Sequence, residues 1–588
     1  MIDSDLLHLD TPAMLADPVS FQNAVFERLV KGQWESDPLD TVQRQRVLGV
    51  LARWIAQADA GEGDGEARLM QARLPLRRLA TACGVLPSNL LGYALGMDEA
   101  FDLFSLSGEQ RRKLALLGDA TFYRGFTLGQ WAAREPRLAL LFAAAAVDDS
   151  ALDHSHADAM RRLISDVPAL PPVSLPPVAL NLLHRACFML GYQPSALRYQ
   201  AKAQLAQQAS RLLALLKPPA MASAAPHPAR TRPRLLVIAE KLVPNHALYR
   251  FFADLIGQLR SHFEVVLYTD EDTKCAAHAA LSDRQYYFAP DAAPVAGWCR
   301  DIQALQPDLI FYPSIGMSML TFALSLLRLA PLQVASSGHP SPSGSREIDA
   351  TLLFDGLPKP APGEFPDPIY YHQHRFLPAG AAVAPRAPAH AEVRTNMRTI
   401  CINAMAAKLN ADFLDLVQAI RASCGVSTRL LMFPNVHGVE HQGLQARLTA
   451  LLGDVEVVPS SGHAAYIERL AQADVILQSF PFGGANTTID GLELGIPVVC
   501  LRGDSLSGRI DPMLLAHYGV GQWCVDDLHA YARTAIGILR DPDAARRRPA
   551  GHAPVETRAI TAIGVDTSPG AVLHAYWHAR AGAAGERP

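Results

Sequence analysis

The sequence has few cysteines, and their spacing excludes the sites that cysteine usually builds. No two of the eight form a Cys-x-x-Cys pair. The sequence therefore suggests neither a zinc site nor a disulfide framework, and we expect reduced thiols. The cysteines are Cys83, Cys187, Cys275, Cys299, Cys401, Cys424, Cys500 and Cys524.

The sequence also lacks a charge excess and a long apolar run. The net charge is −4 and charged residues make up 19% of the chain, so no overall field attracts nucleic acid or anionic lipid. No run of about 18 uninterrupted apolar residues occurs. The first residues, MIDSDLLHLDTPAMLADP, carry acids where a secretion signal has basic residues. We therefore expect a cytoplasmic protein with no nucleic-acid partner and no membrane span.

Two common phosphate-binding motifs are absent as well. The chain has no Gly-x-x-x-x-Gly-Lys-Ser/Thr sequence, and no Gly-x-Gly-x-x-Gly follows the first strand of either predicted sheet region. These absences argue against a P-loop NTPase and against a standard dehydrogenase.

What the sequence does contain changes character near residue 216. Residues 1–216 place apolar side chains three and four positions apart, as in QRVLGVLARWIAQA, which predicts helices. No convincing 34-residue repeat is present, so we expect an irregular all-α domain. Residues 217–234 are rich in proline, alanine and arginine, which is typical of a linker.

The rest of the chain alternates short apolar runs with helical stretches. The runs RLLVIAE, EVVLYTD, DLIFYPS, LQVASSG and ATLLFDG precede a Pro/Ala-rich break at 380–394, and TICINA, RLLMFP, VEVVPS, DVILQS and PVVCL follow it. This alternation predicts an α/β fold of two doubly wound Rossmann-like domains, at 235–390 and 391–588. The second ends in the helical stretch GAVLHAYWHARAG. Ligands would bind in a cleft at the carboxyl ends of the strands.

The segment SFPFGGANTTIDGLELGIPVV, at 479–499, predicts a strand end, a Gly-rich turn and a short helix. A helix start exposes unpaired amides and a partial positive charge, and Asn486, Thr487 and Thr488 can cap it or bind a ligand. Such a turn suits a diphosphate. Asp490, one turn further on, can accept a hydrogen bond from a sugar hydroxyl. The ordinary alternative is a β–α turn with an N-cap.

Three further residues follow predicted strands. Lys408, in MAAKLN, can neutralise the charge of a leaving diphosphate. His246, in KLVPNHALYR, can position an acceptor or exchange a proton. His339 lies in the hydroxyl-rich loop SSGHPSPSGSREID. The ordinary alternatives are a solvated lysine, a histidine bonded to the backbone of a turn, and a plain structured loop.

Three runs of sequence together resemble a known family. FYPSIGMSMLTFALSLLRLAPLQVASSGHP, MAAKLN and SFPFGGANTTIDGLELGIPVVC are similar to the bacterial protein N-glucosyltransferases of the high-molecular-weight adhesin type. These enzymes are relatives of the eukaryotic O-linked N-acetylglucosamine transferases. The resemblance covers residues 234–540, and the helical region fits the layout of the family more loosely.

The resemblance implies an inverting, metal-independent transferase of GT-B fold with an all-α N-terminal domain. It implies that the enzyme transfers glucose from a UDP-sugar, held mainly by the C-terminal sheet domain, to asparagine in Asn-x-Ser/Thr of a protein such as an adhesin. No cofactor beyond the UDP-sugar co-substrate is implied.

The resemblance also assigns roles to individual residues. Lys408 and Asn486 would bind the diphosphate, and Asp490 would bind the ribose. The catalytic candidates are Lys408, His246 and Asp490. The donor-binding candidates are Lys408, Asn486, Thr487, Thr488, Asp490, His339 and Ser345.

One position departs from the family pattern. Relatives resemble GHPATTHS where this chain has GHPSPSGS, so Gly344 replaces their second histidine. The threonine pair at 487 and 488 looks more like the O-linked relatives. Three alternatives stay open: an O-linked transferase acting on Ser/Thr, a sugar-nucleotide epimerase, and a binding adaptor that keeps the fold without the chemistry. For the general base, His246 and Asp490 are the candidates.

Overall fold

A computed structural model of the chain describes residues 41–56, 65–97, 101–123, 126–215, 230, 232–244, 246–288, 295–354, 357, 360–361, 363–373, 397–542 and 566–585. None of the helices in this part of the chain is both long and apolar enough to cross a membrane. The chain is divided into two compact units. The first contains Met1–Leu205, Glu392–Ser479 and Ala535–Arg540, and the second contains Ala206–Ala391, Phe480–Thr534 and Asp541–Pro588.

The described helices that precede the first strand form the predicted helical region. They are α1 (Thr41–Ala56), α2 (Gly65–Ala82), α3 (Pro87–Ala94), α4 (Gly108–Leu117), α5 (Leu128–Ala132), α6 (Pro136–Ala146), α7 (His154–Asp166), α8 (Ala179–Leu190) and α9 (Arg198–Leu215).

Thirteen strands follow in the described residues, and they lie in two parallel sheets. They are β1 (Arg234–Ile238), β2 (Glu264–Asp270), β3 (Arg284–Phe288), β4 (Leu309–Tyr312), β5 (Leu332–Ala335), β6 (Ala350–Phe354), β7 (Ile369–His372), β8 (Met397–Ile402), β9 (Ser427–Met432), β10 (Val455–Val457), β11 (Val475–Leu477), β12 (Val498–Leu501) and β13 (Cys524–Val525).

Helices alternate with these strands, as the sequence predicts. They are α10 (Ala247–Leu259), α11 (His278–Leu281), α12 (Val295–Leu305), α13 (Met319–Ser325), α14 (Ala411–Ser423), α15 (Gly438–Leu452), α16 (His463–Leu470), α17 (Asn486–Glu493), α18 (Ile510–His517), α19 (Leu528–Arg540) and α20 (Pro569–Gly585).

The second unit contains a seven-stranded parallel sheet with the order β3-β2-β1-β4-β5-β6-β7. In its register, Leu236 of β1 lies between Val266 of β2 and Ile310 of β4. The chain winds in one direction from β1 to β3 and in the other from β4 onward. Ligands of open parallel sheets bind outside the strand ends at such a reversal, so the loops after β1 and β4 mark a candidate site.

Alternate residues of β1 pack on opposite faces of this sheet. Leu235 and Val237 face a core that includes Phe252 of α10, whereas Leu236 and Ile238 face a second core that includes residues of α12. These four side chains are 0% exposed. Burial on both faces explains why the strand is a continuous apolar run rather than an alternating one.

The C-terminal helix α20 packs onto the same unit. Its Leu573 and Tyr576 join the core on the α10 side. The Tyr576 hydroxyl also donates a hydrogen bond to the Asp349 carbonyl, at 3.1 Å. The predicted final helix is therefore confirmed, and its apolar side chains complete this face of the sheet.

The first unit combines the helical region with four parallel strands in the order β10-β9-β8-β11. Its N-terminal helices pack on α15. A Cβ added at Gly443 of α15 would lie 2.0 Å from Thr81 Cγ2, so the two helices approach closely there. An ion pair between Arg78 and Glu440, at 2.8 Å, joins the same helices.

Residues 217–229 of the predicted linker, and the whole predicted break at 380–394, lie outside the described residues. The helical region and the second sheet region, which the sequence predicts as separate domains, both contribute to the first unit.

Candidate active site

A buried glutamate joins the loops that follow β1 and β4 in the second unit. Glu240 is 2% exposed and stands just after β1. Its Oε1 accepts a hydrogen bond from the Met317 amide, at 3.3 Å, and its Oε2 accepts one from the Thr321 hydroxyl, at 2.7 Å. Burial raises the pKa of Glu240 above its ordinary value. These bonds hold the β4–α13 loop beside β1, where the sheet order reverses.

His246 caps the helix that follows β1. Its Nδ1 accepts a hydrogen bond from the Leu248 amide, at 3.3 Å, at the start of α10. Burial, assisted by the charge of Lys241, lowers the pKa of His246, so the ring is neutral at neutral pH. A neutral imidazole that accepts at Nδ1 carries its proton on Nε2. His246 therefore makes the backbone bond of the ordinary alternative and is a donor at its other nitrogen.

The loop after β5 lies close to the loop after β4. The Gly338 amide donates to the Pro313 carbonyl, at 2.9 Å, and a Cβ at Gly338 would lie 2.7 Å from the same carbonyl oxygen, so this close approach of backbone requires glycine. The next residue, His339, is 4% exposed. Its ring stacks on Phe482 with the centroids 5.9 Å apart. His339 thus lies beside the beginning of the Gly-rich segment.

Ser345 is held by the backbone around it. Its hydroxyl donates to the Ser325 carbonyl, at 2.6 Å, and accepts from the Glu347 amide, at 3.0 Å. Gly344 has a φ of 75°, a backbone conformation that residues other than glycine rarely adopt. These bonds give Ser345 a structural task in the loop, and its donor-binding role stays a prediction.

The Gly-rich turn leads into α17 as the sequence predicts, but a carboxylate of the same chain occupies its amides. Asp511, in the first turn of α18, is 2% exposed. It accepts hydrogen bonds from the amides of Gly484, at 2.7 Å, and Ala485, at 2.8 Å. It also accepts one from the Thr488 hydroxyl, at 2.8 Å. The residue at the N-cap position is Ala485, with a φ of 53°, rather than Asn486.

This arrangement narrows the room for a ligand at the turn. A Cβ at Gly483 would lie 2.2 Å from Asp511 Oδ2, so the glycine serves the carboxylate of the protein itself. The Thr488 amide donates to the Ala485 carbonyl, at 3.1 Å, and Thr488 is 0% exposed. The turn therefore offers fewer amides to a diphosphate than the sequence suggests.

Asn486 has an unmet hydrogen bond in this region. Its side-chain Oδ1 is buried and has no hydrogen-bond partner among the described residues. A buried acceptor without a donor is unfavourable unless water or a ligand supplies one. Thr487 follows on the same turn and is half-buried. Among the residues predicted to bind the UDP-sugar, Asn486 is therefore the one whose side chain best fits a ligand contact.

Asp490 forms an ion pair within the second unit. The Arg250 Nη1 atom of α10 lies 2.9 Å from Asp490 Oδ1, and the two side chains are 18% and 5% exposed. The pair connects α17 with the helix that His246 caps. A positive charge at this distance offsets the repulsion that the Asp490 carboxylate would exert on a nearby phosphate.

Lys408 belongs to the first unit and ends a short 3-10 turn, Ala406–Lys408, after β8. The Ala406 amide donates to the Pro434 carbonyl, at 3.0 Å, in the loop after β9. Asn410 then caps α14, because its Oδ1 accepts a hydrogen bond from the Phe413 amide, at 3.1 Å. The Lys408 side chain is half-buried. Lys408 thus follows the carboxyl end of a central strand, where the sequence places it.

The helical region supports this lysine turn. The Ser150 hydroxyl donates to the Ala406 carbonyl, at 3.0 Å. Ser150 follows Asp148, whose carboxylate is 0% exposed and lies 2.7 Å from the Arg73 guanidinium, which is 2% exposed. This buried ion pair fixes the segment that carries Ser150, so the N-terminal helices help to position the turn that ends at Lys408.

The second unit links several of the predicted residues through contacts that the sequence does not reveal. His339 reaches the Gly-rich segment through Phe482, and Asp490 reaches α10 through Arg250. Of the residues that were not predicted, Phe482 lies inside the quoted Gly-rich segment, whereas no motif marks Glu240, Arg250 or Asp511. The one available signal is a charged residue on the otherwise apolar start of α10, ALYRFFADLIGQL. The missed residues are Glu240, Arg250, Phe482 and Asp511.

Comparisons with known proteins agree with the predicted resemblance. No protein-family model matches the chain. A UDP-glucose:protein N-beta-glucosyltransferase from Actinobacillus pleuropneumoniae serotype 5b (strain L20) is 26% identical over 317 residues, which cover 53% of this chain and 51% of the relative. The protein of the same name from serotype 7 (strain AP76) is 29% identical over 239 residues, which cover 40% of this chain and 38% of the relative.

A solved structure supports the fold. An O-GlcNAc transferase mutant from Thermobaculum terrenum aligns over 96% of this chain and 99% of its own, with a TM-score of 0.55 and 18% identity. The predicted α/β GT-B fold and the predicted resemblance to the N-glucosyltransferases are therefore confirmed. The chain spans about half the length, or less, of the curated relatives that it matches.

Proposed function

We propose that this protein is an enzyme that transfers glucose from UDP-glucose to asparagine side chains of an acceptor protein, in Asn-x-Ser/Thr sequences. The observation that carries the proposal is the similarity to two proteins named UDP-glucose:protein N-beta-glucosyltransferase. The GT-B fold is compatible with it, but the fold alone does not select a donor or an acceptor.

The main task of such an enzyme is to stabilise charge. Negative charge develops on the two phosphates as the bond to the anomeric carbon breaks, and fixed positive groups lower the barrier most when water is excluded. We assign the larger share of this task to Lys408. Asp511 already occupies the amides of Gly484 and Ala485 and adds a negative charge near α17, so the turn by itself is a weak anion site.

Within the second unit, Asn486 and Asp490 are the proposed contacts to the rest of the donor. The NH2 group of the Asn486 side chain would donate a hydrogen bond to a phosphate oxygen. Its buried Oδ1 would accept one from a hydroxyl group of UDP-glucose. Asp490 would accept a hydrogen bond from the ribose. Its ion pair with Arg250 offsets the repulsion that the carboxylate would exert on the phosphates.

The acceptor amide would attack the anomeric carbon from the face opposite UDP, which inverts the configuration, and no metal ion takes part. His246 is proposed to hold the acceptor by a hydrogen bond from Nε2–H. Its Nδ1 lone pair is engaged by the Leu248 amide, which disfavours the role of general base at that atom. Asp490 already makes an ion pair with Arg250, so a proton from the acceptor would compete with that contact for the carboxylate.

A donor screen tests the proposal. The protein is incubated with an Asn-x-Thr acceptor peptide and either UDP-glucose or UDP-N-acetylglucosamine, and the peptide mass is measured. We expect one hexose from UDP-glucose, and an unchanged rate in EDTA. Transfer of N-acetylglucosamine to serine or threonine would instead support the O-linked alternative.

One observation favours a second candidate, a binding adaptor. In the resemblance described under Sequence analysis, Gly344 takes the place of a histidine, and its φ of 75° suits glycine rather than a residue with a side chain. Calorimetry with UDP separates the two candidates. Binding of UDP together with transfer supports the enzyme, whereas an absence of UDP binding supports the adaptor.

A further inference from the structure

Two cysteines that are far apart in the sequence meet on neighbouring strands of the second unit. Strands β12 and β13 pair in parallel, and Cys500 lies directly opposite Cys524. Neighbouring strands are about 4.8 Å apart, and opposite residues point to the same face of the sheet. A disulfide joins residues whose Cα atoms are about 4.4–6.8 Å apart. The backbone at this position therefore already has the spacing that a disulfide requires.

The two thiols differ in their surroundings. Cys500 is 2% exposed, whereas Cys524 is half-buried and lies on β13, an edge strand that pairs with β12. Hydrogen bonding between the two thiols, together with burial, raises the pKa of Cys500. The bond from Cys500, supported by the charge of Arg502, lowers the pKa of Cys524. Cys524 is thus the more accessible thiol and the more readily ionised one.

We propose that Cys500 and Cys524 form a redox-active dithiol that a peroxide converts into an intramolecular disulfide. The Cys524 thiolate attacks one peroxide oxygen, which gives a sulfenic acid and releases water or hydroxide. The Cys500 sulfur then displaces the sulfenic hydroxyl, which leaves as a second water, and the S–S bond forms. With hydrogen peroxide, the two thiols together lose two electrons and two protons while one peroxide is reduced to two waters. A thiol reductant reverses the step by exchange.

The position of the pair connects it with the Gly-rich turn. The Asp511 carboxylate acts electrostatically on both thiols and raises the pKa of each, against the net lowering at Cys524. The same carboxylate holds the amides of Gly484 and Ala485. Oxidation removes the thiol that interacts electrostatically with Asp511. Asp511 is therefore the residue through which oxidation of the two cysteines would affect the Gly-rich turn. This inference does not depend on the proposed transferase activity.

Mass spectrometry of the full chain tests the dithiol. The protein is treated with hydrogen peroxide and then alkylated without reduction. We expect the intact mass before alkylation to fall by about 2 Da, since a disulfide removes two hydrogens, and the number of free thiols to fall by two from eight. Peptide mapping should find Cys500 linked to Cys524, and dithiothreitol should restore both thiols.

Matched variants make the result specific. Cys524→Ser is expected to abolish the loss of two hydrogens, and Cys500→Ala is expected to leave a sulfenic acid on Cys524 that dimedone labels. Cys275→Ser removes another half-buried cysteine and should leave the disulfide intact. A disulfide between other cysteines, retention of all thiols, or an unchanged product in Cys524→Ser would overturn the proposal.

Discussion

The carboxylate of Asp511 holds the Gly-rich turn, and Asp511→Asn measures how strongly it does so. Asparagine has the same shape, but its NH2 group replaces one oxygen, so at least one of the bonds from Gly484, Ala485 and Thr488 is lost. A hydrogen bond to a charged acceptor contributes about 1.5–3 kcal/mol. Because about 1.36 kcal/mol corresponds to a factor of ten, losing one such bond raises local opening about 10- to 100-fold.

Hydrogen exchange followed by mass spectrometry reads this opening directly. Peptides that span residues 480–490 should exchange about 10- to 100-fold faster in Asp511→Asn, since protection of these amides reports local stability. Asp504→Asn is the matched control. It makes the same substitution at an exposed aspartate between β12 and α18, and it should leave this exchange unchanged. Equal exchange of residues 480–490 in the wild type and Asp511→Asn would refute the assignment of these bonds.

Three other expectations follow from the structure. Lys408→Ala should lower kcat/KM for transfer at least about 100-fold, by loss of charge stabilisation, with an unchanged circular dichroism spectrum; full activity would remove it from the site. Gly443→Ala should lower the melting temperature, because its Cβ would lie 2.0 Å from Thr81 Cγ2. Adding Thr81→Ala should restore the melting temperature, and a Gly443→Ala variant that melts like the wild type would refute the close packing. Although burial alone would raise the pKa of Asp148, neighbouring arginines lower it. The carboxylate therefore stabilises the protein above about pH 4, and this stabilisation is lost as the pH falls. Asp148→Asn should lower the free energy of unfolding in urea by about 3–5 kcal/mol at pH 7 and by less at pH 3. An equal loss at both pH values would contradict this.

Much of the fold could be predicted because its strands are buried on both faces. The runs around Leu236 and Val266 are apolar without interruption, which only a covered parallel strand requires. All ten apolar runs predicted as strands are confirmed. Three strands were missed. In β3 and β7 several side chains are exposed or half-buried, and β13 has two residues, so none of these shows a continuous apolar run.

The site was predictable only where its chemistry is local in the sequence. The helix start at Asn486 and the lysine turn after β8 follow from short segments. The partners of these segments do not, because Asp511 is 27 residues from Gly484 and Arg250 is 240 residues from Asp490. The pairing of Cys500 with Cys524 depends in the same way on the register between two strands. Spacing along the chain carries no record of such contacts.

The proposed reaction attaches glucose to an asparagine amide. The most direct measurement incubates the protein with UDP-glucose and two peptides that differ only in Asn-x-Thr against Gln-x-Thr, and locates any sugar by fragmentation in the mass spectrometer. The proposal predicts one hexose on the asparagine of the first peptide and none on the second. Equal labelling of both peptides, or a sugar on threonine, would contradict it.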